Sequence, residues 1–231
     1  MGILVGMSRP IAAFKDLCVD AVDAQLLAQF WAGALDLEVV QREDGQVRLV
    51  GPDPHSTVWI NQVPEPVTVK QRVHLDVHVA DVGDLLDLGA TPLDLDSFRW
   101  QVLRDPEGGE VCAFPREQVP DRRLYEIVVD CADPAALARW WAGLMGGRWE
   151  VDEEHGWASV EGIPGAPFDF LVFVPVPEPK TVKNRIHWDV DVAGLEEVTA
   201  YGARVVREPT GQMVWTVLAD PEGNEFCAFV D

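Results

Sequence analysis

The chain has 231 residues, 48% of them hydrophobic and 25% charged, so it can bury a core, and global disorder and fibrous repeats are excluded. It carries 18 lysines and arginines against 39 aspartates and glutamates, a net charge of −21, so we expect no nucleic acid and no membrane surface among its partners. Residues 1–6 lack the basic start and apolar run of a signal peptide, and the four cysteines form no CxxC pair; both features favour reduced thiols and a cytoplasmic location.

The predicted elements follow the same order in each half of the chain. Helices are predicted at Asp23–Leu35 and Val82–Leu88 in the first half. In the second half, an alternating β-rich strand at Leu124–Cys131 precedes a helix that Asp133 caps, with Pro134 at its first position. In the rest of the second half, strands are predicted at Arg148–Val151, Trp157–Glu161, Phe168–Val174 and Arg185–Val192. A short helix is predicted at Leu195–Tyr201, and three further strands are predicted near Val205, Val214 and Phe226.

The chain is a tandem repeat. Three pairs of segments share 7 of 14, 10 of 14 and 9 of 12 residues, namely Asp20–Gly33 with Asp130–Gly143, Val63–Asp76 with Val176–Asp189, and Leu103–Phe114 with Leu218–Phe229. The offsets between partners are 110, 113 and 115 residues, so insertions fall between the matched segments, as loops allow. Each copy has the length of a domain rather than of a solenoid repeat. We therefore predict domains at residues 11–115 and 122–231.

Each copy contains the order βαβββ twice, which predicts an α+β fold of four such units with roughly sixteen strands and four helices. A unit of this kind covers one sheet face with its helix and leaves the other face open, so paired units would curl into a half-barrel around a cavity. The sequence leaves open whether the two units of one copy share a cavity or units pair across the copies. Fused copies imitate a two-fold dimer, so we expect a pseudo-dimer that is a monomer or a homodimer.

Three motifs carry a family resemblance: DPAALARWW at 133–141, NRIHWD at 184–189 and DPEGNEFCAF at 220–229. With the order of elements, they make the chain resemble the vicinal oxygen chelate superfamily, in the tandem form of its glyoxalase-like and bleomycin-resistance-like domain proteins, over residues 12–115 and 122–231. The resemblance implies two glyoxalase-like half-barrels and a small-molecule ligand in a barrel cavity.

The resemblance also implies a set of metal ligands. Metal-using members take ligands from the first, fifth and last strands of a copy, which correspond here to Asp16, His74 and Cys112 in the first copy and to Glu126, His187 and Cys227 in the second. A carboxylate, an imidazole and a thiolate can all bind a divalent ion. The set departs from the family pattern, in which the first-strand position is usually histidine and the last-strand position is usually glutamate.

Strand alternation places several of these side chains on the open face. In Arg185–Val192, polar residues alternate with Ile186, Trp188 and Val190, so we expect His187 on the cavity side and Trp188 on the helix side. The alternative for His74 and His187 is a buried imidazole bonded to a neighbouring aspartate. For the cysteines it is an ordinary core position, and for Asp16 and Glu126 it is exposure to solvent.

Other repeated residues are candidates for ligand binding. Arg72 and Arg185, with Asp76 and Asp189 on the same stripes, could grip an anionic group, or each arginine could pair with a neighbouring acid. Trp100 and Trp215 are equivalent and would stack on a flat or cationic ligand if they face the cavity. The DPEG segments predict tight turns between strands rather than calcium loops.

Three functions remain open. The first is a small-molecule-binding protein whose reaction is unassigned. The second, implied by the resemblance, is a lyase, isomerase or dioxygenase of the vicinal oxygen chelate type that depends on a divalent metal ion. The third is a metal-free protein that sequesters drugs, or a scaffold without a ligand. The sequence does not decide whether the protein is an enzyme.

Overall fold

The computed structural model describes residues 9–42, 46–211 and 213–230, and these residues form sixteen strands, four α-helices and one 3₁₀ turn. The first unit consists of β1 (Ala12–Ala21), α1 (Ala24–Leu35), β2 (Glu38–Gln41), β3 (Val47–Val50), the 3₁₀ turn (Pro54–Ser56) and β4 (Val58–Gln62). The second consists of β5 (Val73–Val79), α2 (Gly83–Asp87), β6 (Thr91–Asp94), β7 (Gln101–Arg104) and β8 (Glu110–Pro115). The third consists of β9 (Leu124–Cys131), α3 (Pro134–Met145), β10 (Arg148–Val151), β11 (Ala158–Glu161) and β12 (Phe170–Pro175). The fourth consists of β13 (Ile186–Val192), α4 (Leu195–Ala200), β14 (Arg204–Arg207), β15 (Thr216–Ala219) and β16 (Glu225–Val230). The predicted α+β fold of four βαβββ units is confirmed.

The four units pair across the two copies of the repeat. One eight-stranded sheet joins the first and fourth units in the order β14-β15-β16-β13-β1-β4-β3-β2, and the other joins the second and third in the order β10-β11-β12-β9-β5-β8-β7-β6. The sheets are held at their centres by the antiparallel pairs β1–β13 and β5–β9. Neither copy therefore builds a half-barrel of its own, and of the two arrangements that the sequence leaves open, the structure has the one that mixes the copies.

The two long helices begin where the sequence predicts. Asp23 accepts hydrogen bonds from the backbone N–H groups of Gln25 and Leu26, and Asp133 accepts one from Ala136, which satisfies donors that have no partner inside the helix. Helix α3 ends at Gly146, whose φ of 82° is a conformation that favours glycine.

The core lies on the helix side of the sheets. Leu27, Trp31, Leu137 and Trp141 are at most 2% exposed, which confirms their predicted burial. The ring of Trp141 on α3 lies edge-on to that of Trp188 on β13, with centroids 4.8 Å apart. This contact joins the two sheets, because α3 packs on β10, β11 and β12 of its own sheet while β13 belongs to the other.

The DPEG segments form tight turns, as predicted, and the glutamate of each turn is hydrogen-bonded to the preceding unit. The Glu107 carboxylate accepts hydrogen bonds from the backbone N–H groups of Val22 and Asp23 at 2.9 and 2.7 Å. The Glu222 carboxylate does the same for Ala132 and Asp133, at 2.7 and 2.8 Å. The repeated glutamate thus accepts hydrogen bonds from the backbone at the start of the preceding long helix.

In the part of the chain that the structure describes, no helix has the length and apolar character needed to cross a membrane.

Candidate functional site

Each sheet curves around one cavity, and the two cavities differ in size. The wide cavity, on the β5–β9 sheet, has a volume of about 580 Å³. The narrow cavity, on the β1–β13 sheet, has a volume of about 190 Å³. Binding sites for small organic molecules usually measure about 300–1,000 Å³, so of these two cavities the wide one falls in that range.

Aromatic and valine side chains form the walls of the wide cavity. Trp100 stacks on both Phe98 and Phe114, with ring centroids 5.0 and 5.5 Å apart and planes within 15° of parallel. Tyr125 lies edge-on to Phe114 and Phe170. The other apolar lining residues are Val102, Val128, Trp157, Val172, Val174 and Val176.

The floor of the wide cavity is polar. It contains His74, Asp76, Cys112 and Glu126, and the first three hold their ligand-type atoms within 4.8 Å of one another. His74 Nε2 lies 3.4 Å from Asp76 Oδ1, and neither Asp76 Oδ1 nor His74 Nδ1 has a hydrogen-bond partner although both atoms are buried. Glu126 lies opposite Asp76 across the β5–β9 pair.

This packing shifts the pKa values of the titratable side chains on the floor. Burial raises the pKa of Glu126 to about 8, and the neighbouring Asp76 adds to the shift. Burial alone would lower the pKa of His74, but the contact with Asp76 outweighs it and raises that pKa. Burial, with Asp76 nearby, also raises the pKa of the Cys112 thiol, so at neutral pH Cys112 is a protonated thiol unless a cation displaces the proton.

The narrow cavity gathers a different set of donors. Cys18, His187 and Asp189 hold their ligand-type atoms within 4.8 Å of one another, and Cys227 lies opposite Asp189 on β16. All four residues are buried. His187 Nδ1 and Asp189 Oδ1 have no hydrogen-bond partner.

Electrostatics also distinguish the narrow cavity. Burial, with Lys183 nearby, lowers the pKa of His187 to about 3, so its imidazole is neutral near pH 7. Burial raises the pKa of Asp189 to about 7, and Asp16 adds to the shift. Burial, with Asp189 beside the sulfur, raises the pKa of the Cys227 thiol.

The structure regroups the six metal ligands that the resemblance implies. His74 and Cys112 share the wide cavity with Glu126 of the other copy, whereas His187 and Cys227 share the narrow cavity with Asp16. The predicted sets are therefore wrong in one ligand each: Asp16 and Glu126 are exchanged between them, because the units pair across the copies. His187 still lies on the cavity side with Trp188 against the helix, as strand alternation predicts.

Asp16 and Glu126 are partly buried rather than exposed to solvent. Asp16 accepts a hydrogen bond from Trp59 Nε1 at 3.0 Å. The tryptophan therefore occupies one side of the carboxylate and narrows the cavity around it.

Of the residues predicted to bind a ligand, the two arginines lie elsewhere. Arg72 donates to the carbonyl oxygens of Asp130 and Glu178. Arg185 donates to those of Asp20 and Glu65 and to the Glu107 carboxylate. Neither lines the wide or the narrow cavity. Both line a third cavity of about 580 Å³, and their guanidinium groups join the backbones of different units. Arg185 also pairs with an acid, as the alternative prediction has it; a ligand-binding role for the two arginines stays a prediction.

The remaining predicted ligand-binding residues line the cavities. Trp100 and Asp76 lie in the wide cavity, and Trp215 and Asp189 lie in the narrow one. Sequence reasoning missed most of the aromatic wall. Phe170, Val172 and Val174 alternate on β12 and could have been assigned by parity, but Phe98 and Trp157 lie in loops, where no periodicity applies.

Both donor sets fit a divalent metal ion. Each offers an imidazole, a carboxylate and a cysteine sulfur, and each contains buried polar atoms that lack a partner. The narrow cavity fits a transition metal such as zinc better, since it adds a second sulfur and a neutral imidazole, which are the ligands that such an ion prefers. Burying unpaired polar atoms is costly, and a bound cation would satisfy them.

Comparisons with known proteins agree with this architecture. The family model described as "Glyoxalase-like domain" matches the chain twice, over residues 16–114 and 126–229. Crystal structures with the same fold include glyoxalase I from Zea mays, at 10% identity and a TM-score of 0.64, covering 95% of this chain and 92% of that one. A candidate dioxygenase from Bacillus subtilis is 13% identical with a TM-score of 0.65 and coverage of 97% and 86%. The cppA protein from Streptococcus pneumoniae is 11% identical with a TM-score of 0.53 and coverage of 96% and 100%. No curated protein sequence matches the chain.

Proposed function

The chain belongs to the family of glyoxalase-like domains, and from that premise we propose that it binds a small organic molecule in the wide cavity. The observation that carries the proposal is a space of about 580 Å³ with aromatic walls and a polar floor. Apolar walls bury a ligand, and a few convergent polar groups orient it. The narrow cavity, at about 190 Å³, is too small for the same task.

Filling the wide cavity tests this proposal. Ser159 is buried and lines that cavity from β11, so Ser159→Phe should take up space that a ligand needs. Asn61→Phe, in the narrow cavity, is the matched control. A panel of small aromatic compounds should raise the melting temperature of the wild type and of Asn61→Phe but not of Ser159→Phe. Circular dichroism of all three proteins checks that they fold. Equal responses from wild type and Ser159→Phe would place ligand binding elsewhere.

A second proposal is a divalent metal ion in the narrow cavity, held by Cys18, His187 and Asp189 with Cys227 beside them. It is supported by the unpartnered His187 Nδ1 and Asp189 Oδ1. Metal analysis of the purified protein tests it. In the wide cavity, His74, Asp76, Cys112 and Glu126 are the residues that would hold such an ion. There it would supply a Lewis acid for substrate oxygens.

Catalysis of the lyase, isomerase or dioxygenase kind would require a divalent metal ion in the wide cavity. Glu126, a carboxyl group of the floor that faces Asp76, is the group placed to exchange a proton with a substrate. Without an ion, the wide cavity would act as a binding site alone, as a drug-sequestering protein requires. Metal content and ligand turnover, measured together, separate the two.

A further inference from the structure

We infer that the ligand of the wide cavity is a planar cation, an aromatic ring that carries an amidinium, a guanidinium or another protonated nitrogen. The inference rests on the proposed function and names the class of molecule that the cavity takes. It combines three features: the walls, the floor and the balance of charge.

The walls favour a flat ring. Phe98, Trp100 and Phe114 form a ladder of nearly parallel rings, and Phe98, at the outer end, is 52% exposed. These side chains give a planar molecule a flat apolar surface to pack against. Aromatic faces carry negative charge density and therefore attract a cation more than a neutral ring of the same shape.

The floor requires hydrogen-bond donors. Asp76 is 4% exposed, and its Oδ1 lies 3.4 Å from His74 Nε2 but makes no hydrogen bond. A buried carboxylate oxygen without a donor costs free energy. Because Glu126 faces Asp76 across the strand pair, a ligand with two N–H groups in one plane can donate to both carboxyl groups.

The charge of the lining selects a cation. Four carboxyl groups line the wide cavity, those of Asp76, Glu110, Glu126 and Asp130. Lys70 is the only lysine or arginine among the described lining residues, and its ammonium is already engaged, at 2.7 Å from Asp130 and 4.0 Å from Glu110. An anionic ligand would therefore meet like charge, and a neutral ligand would gain less from these carboxyl groups than a cation would.

Three compounds of the same size and shape test the inference: benzamidine, benzamide and benzoate, which are cationic, neutral and anionic at pH 7. Their affinities are measured by isothermal titration calorimetry with EDTA present, so that no divalent ion competes for the floor. We expect benzamidine to bind at least tenfold more tightly than benzamide, and benzoate to bind most weakly. Benzamide binding as tightly as benzamidine overturns the inference and leaves the cavity as a small-molecule site, whereas binding of none of the three counts against both proposals.

Variants of the floor test whether its carboxyl groups cause the preference for benzamidine over benzamide. Asp76→Asn keeps the shape of the floor and removes a negative charge, and Glu126→Gln replaces the facing carboxyl group with an amide of the same shape, so each should reduce the preference for benzamidine at least tenfold. Glu150→Gln is the control, because Glu150 is an exposed acidic residue on β10 of the same sheet that lines neither cavity, and it should leave the preference unchanged. If Asp76→Asn does not fold, Glu126→Gln alone decides. A preference that survives Glu126→Gln, or that falls equally in Glu150→Gln, contradicts the inference.

Discussion

Glu126 lies directly opposite Asp76 across the β5–β9 pair, although the two residues come from different copies of the repeat. The equivalent residues of the other sheet are Asp16 and Asp189. Both central strand pairs have a register shift near these residues, but in the β1–β13 pair the shift lies between Phe14 and Leu17 and includes Asp16. Asp16 therefore leaves the ladder and accepts a hydrogen bond from Trp59. One sheet keeps two facing carboxyl groups at the base of a wide cavity, and the other separates them in a narrow one.

Trp141 should be the most costly core tryptophan to remove. It is fully buried, it contacts Trp188 of the other sheet and its Nε1 donates to Asp220 at 3.2 Å. Trp141→Ala should lower the free energy of unfolding by about 3–5 kcal/mol, from lost transfer energy and the cavity left behind. Urea denaturation measures the change. Trp215→Ala, at the partly exposed rim of the narrow cavity, is the control and should cost less; an equal cost would show that the core assignment is wrong.

Glu107 should stabilise the protein through charge-assisted hydrogen bonds. Its carboxylate accepts from two backbone N–H groups and pairs with Arg185 at 2.9 Å, where both side chains are largely buried. Glu107→Gln should therefore lower the free energy of unfolding by about 1–3 kcal/mol. Glu117→Gln, at an exposed position, should leave it within about 0.5 kcal/mol. Guanidinium denaturation compares the two; equal stability of both variants would mean that the turn contributes no anchoring.

Asp105 should make stability depend on pH. Burial raises its pKa from 3.8 to about 6, so the folded state binds its proton more tightly than the unfolded state does. The contribution is complete below pH 3.8 and disappears as pH rises through 6, and it amounts to about 2–3 kcal/mol. Asp105→Asn keeps the hydrogen-bond acceptor for Glu107 and Gly109 but cannot titrate. The stability of the variant relative to wild type should therefore rise between pH 4 and pH 7. Thermal unfolding of both proteins across that range measures the difference. A constant difference would contradict the shift.

His187 should be required for metal binding in the narrow cavity. Its imidazole is neutral at physiological pH and lies with Cys18 and Asp189. Protein produced with added zinc should contain at least one more equivalent of metal per chain than the His187→Ala variant. His155→Ala removes an exposed histidine that pairs with Asp152 and should retain the metal. Elemental analysis of the three proteins gives the answer, and equal metal contents would place any ion elsewhere.

The four cysteines should react slowly in the folded protein. All are free and buried, and burial raises their thiol pKa, to about 12 for Cys131. Because the thiolate is the reactive form, Ellman's reagent at pH 8 should label far less than one thiol per native chain and all four after unfolding in guanidinium. Rapid labelling of Cys112 or Cys227 in the native protein would show that the cavity floors are more open than the structure has them.

The sequence by itself determined the local structure. Asp133 and Pro134 mark the start of α3, and the period-two pattern puts His187 and Trp188 on opposite faces of β13, because caps and strand parity depend only on neighbouring residues. The tertiary structure alone decided which carboxylate joins which histidine. The two copies repeat the same surface pattern, so each unit has two almost equivalent partners, and the long-range pairs β1–β13 and β5–β9 select between them. The register shift next to Asp16 likewise depends on its partner strand, and so does the difference between a wide and a narrow cavity.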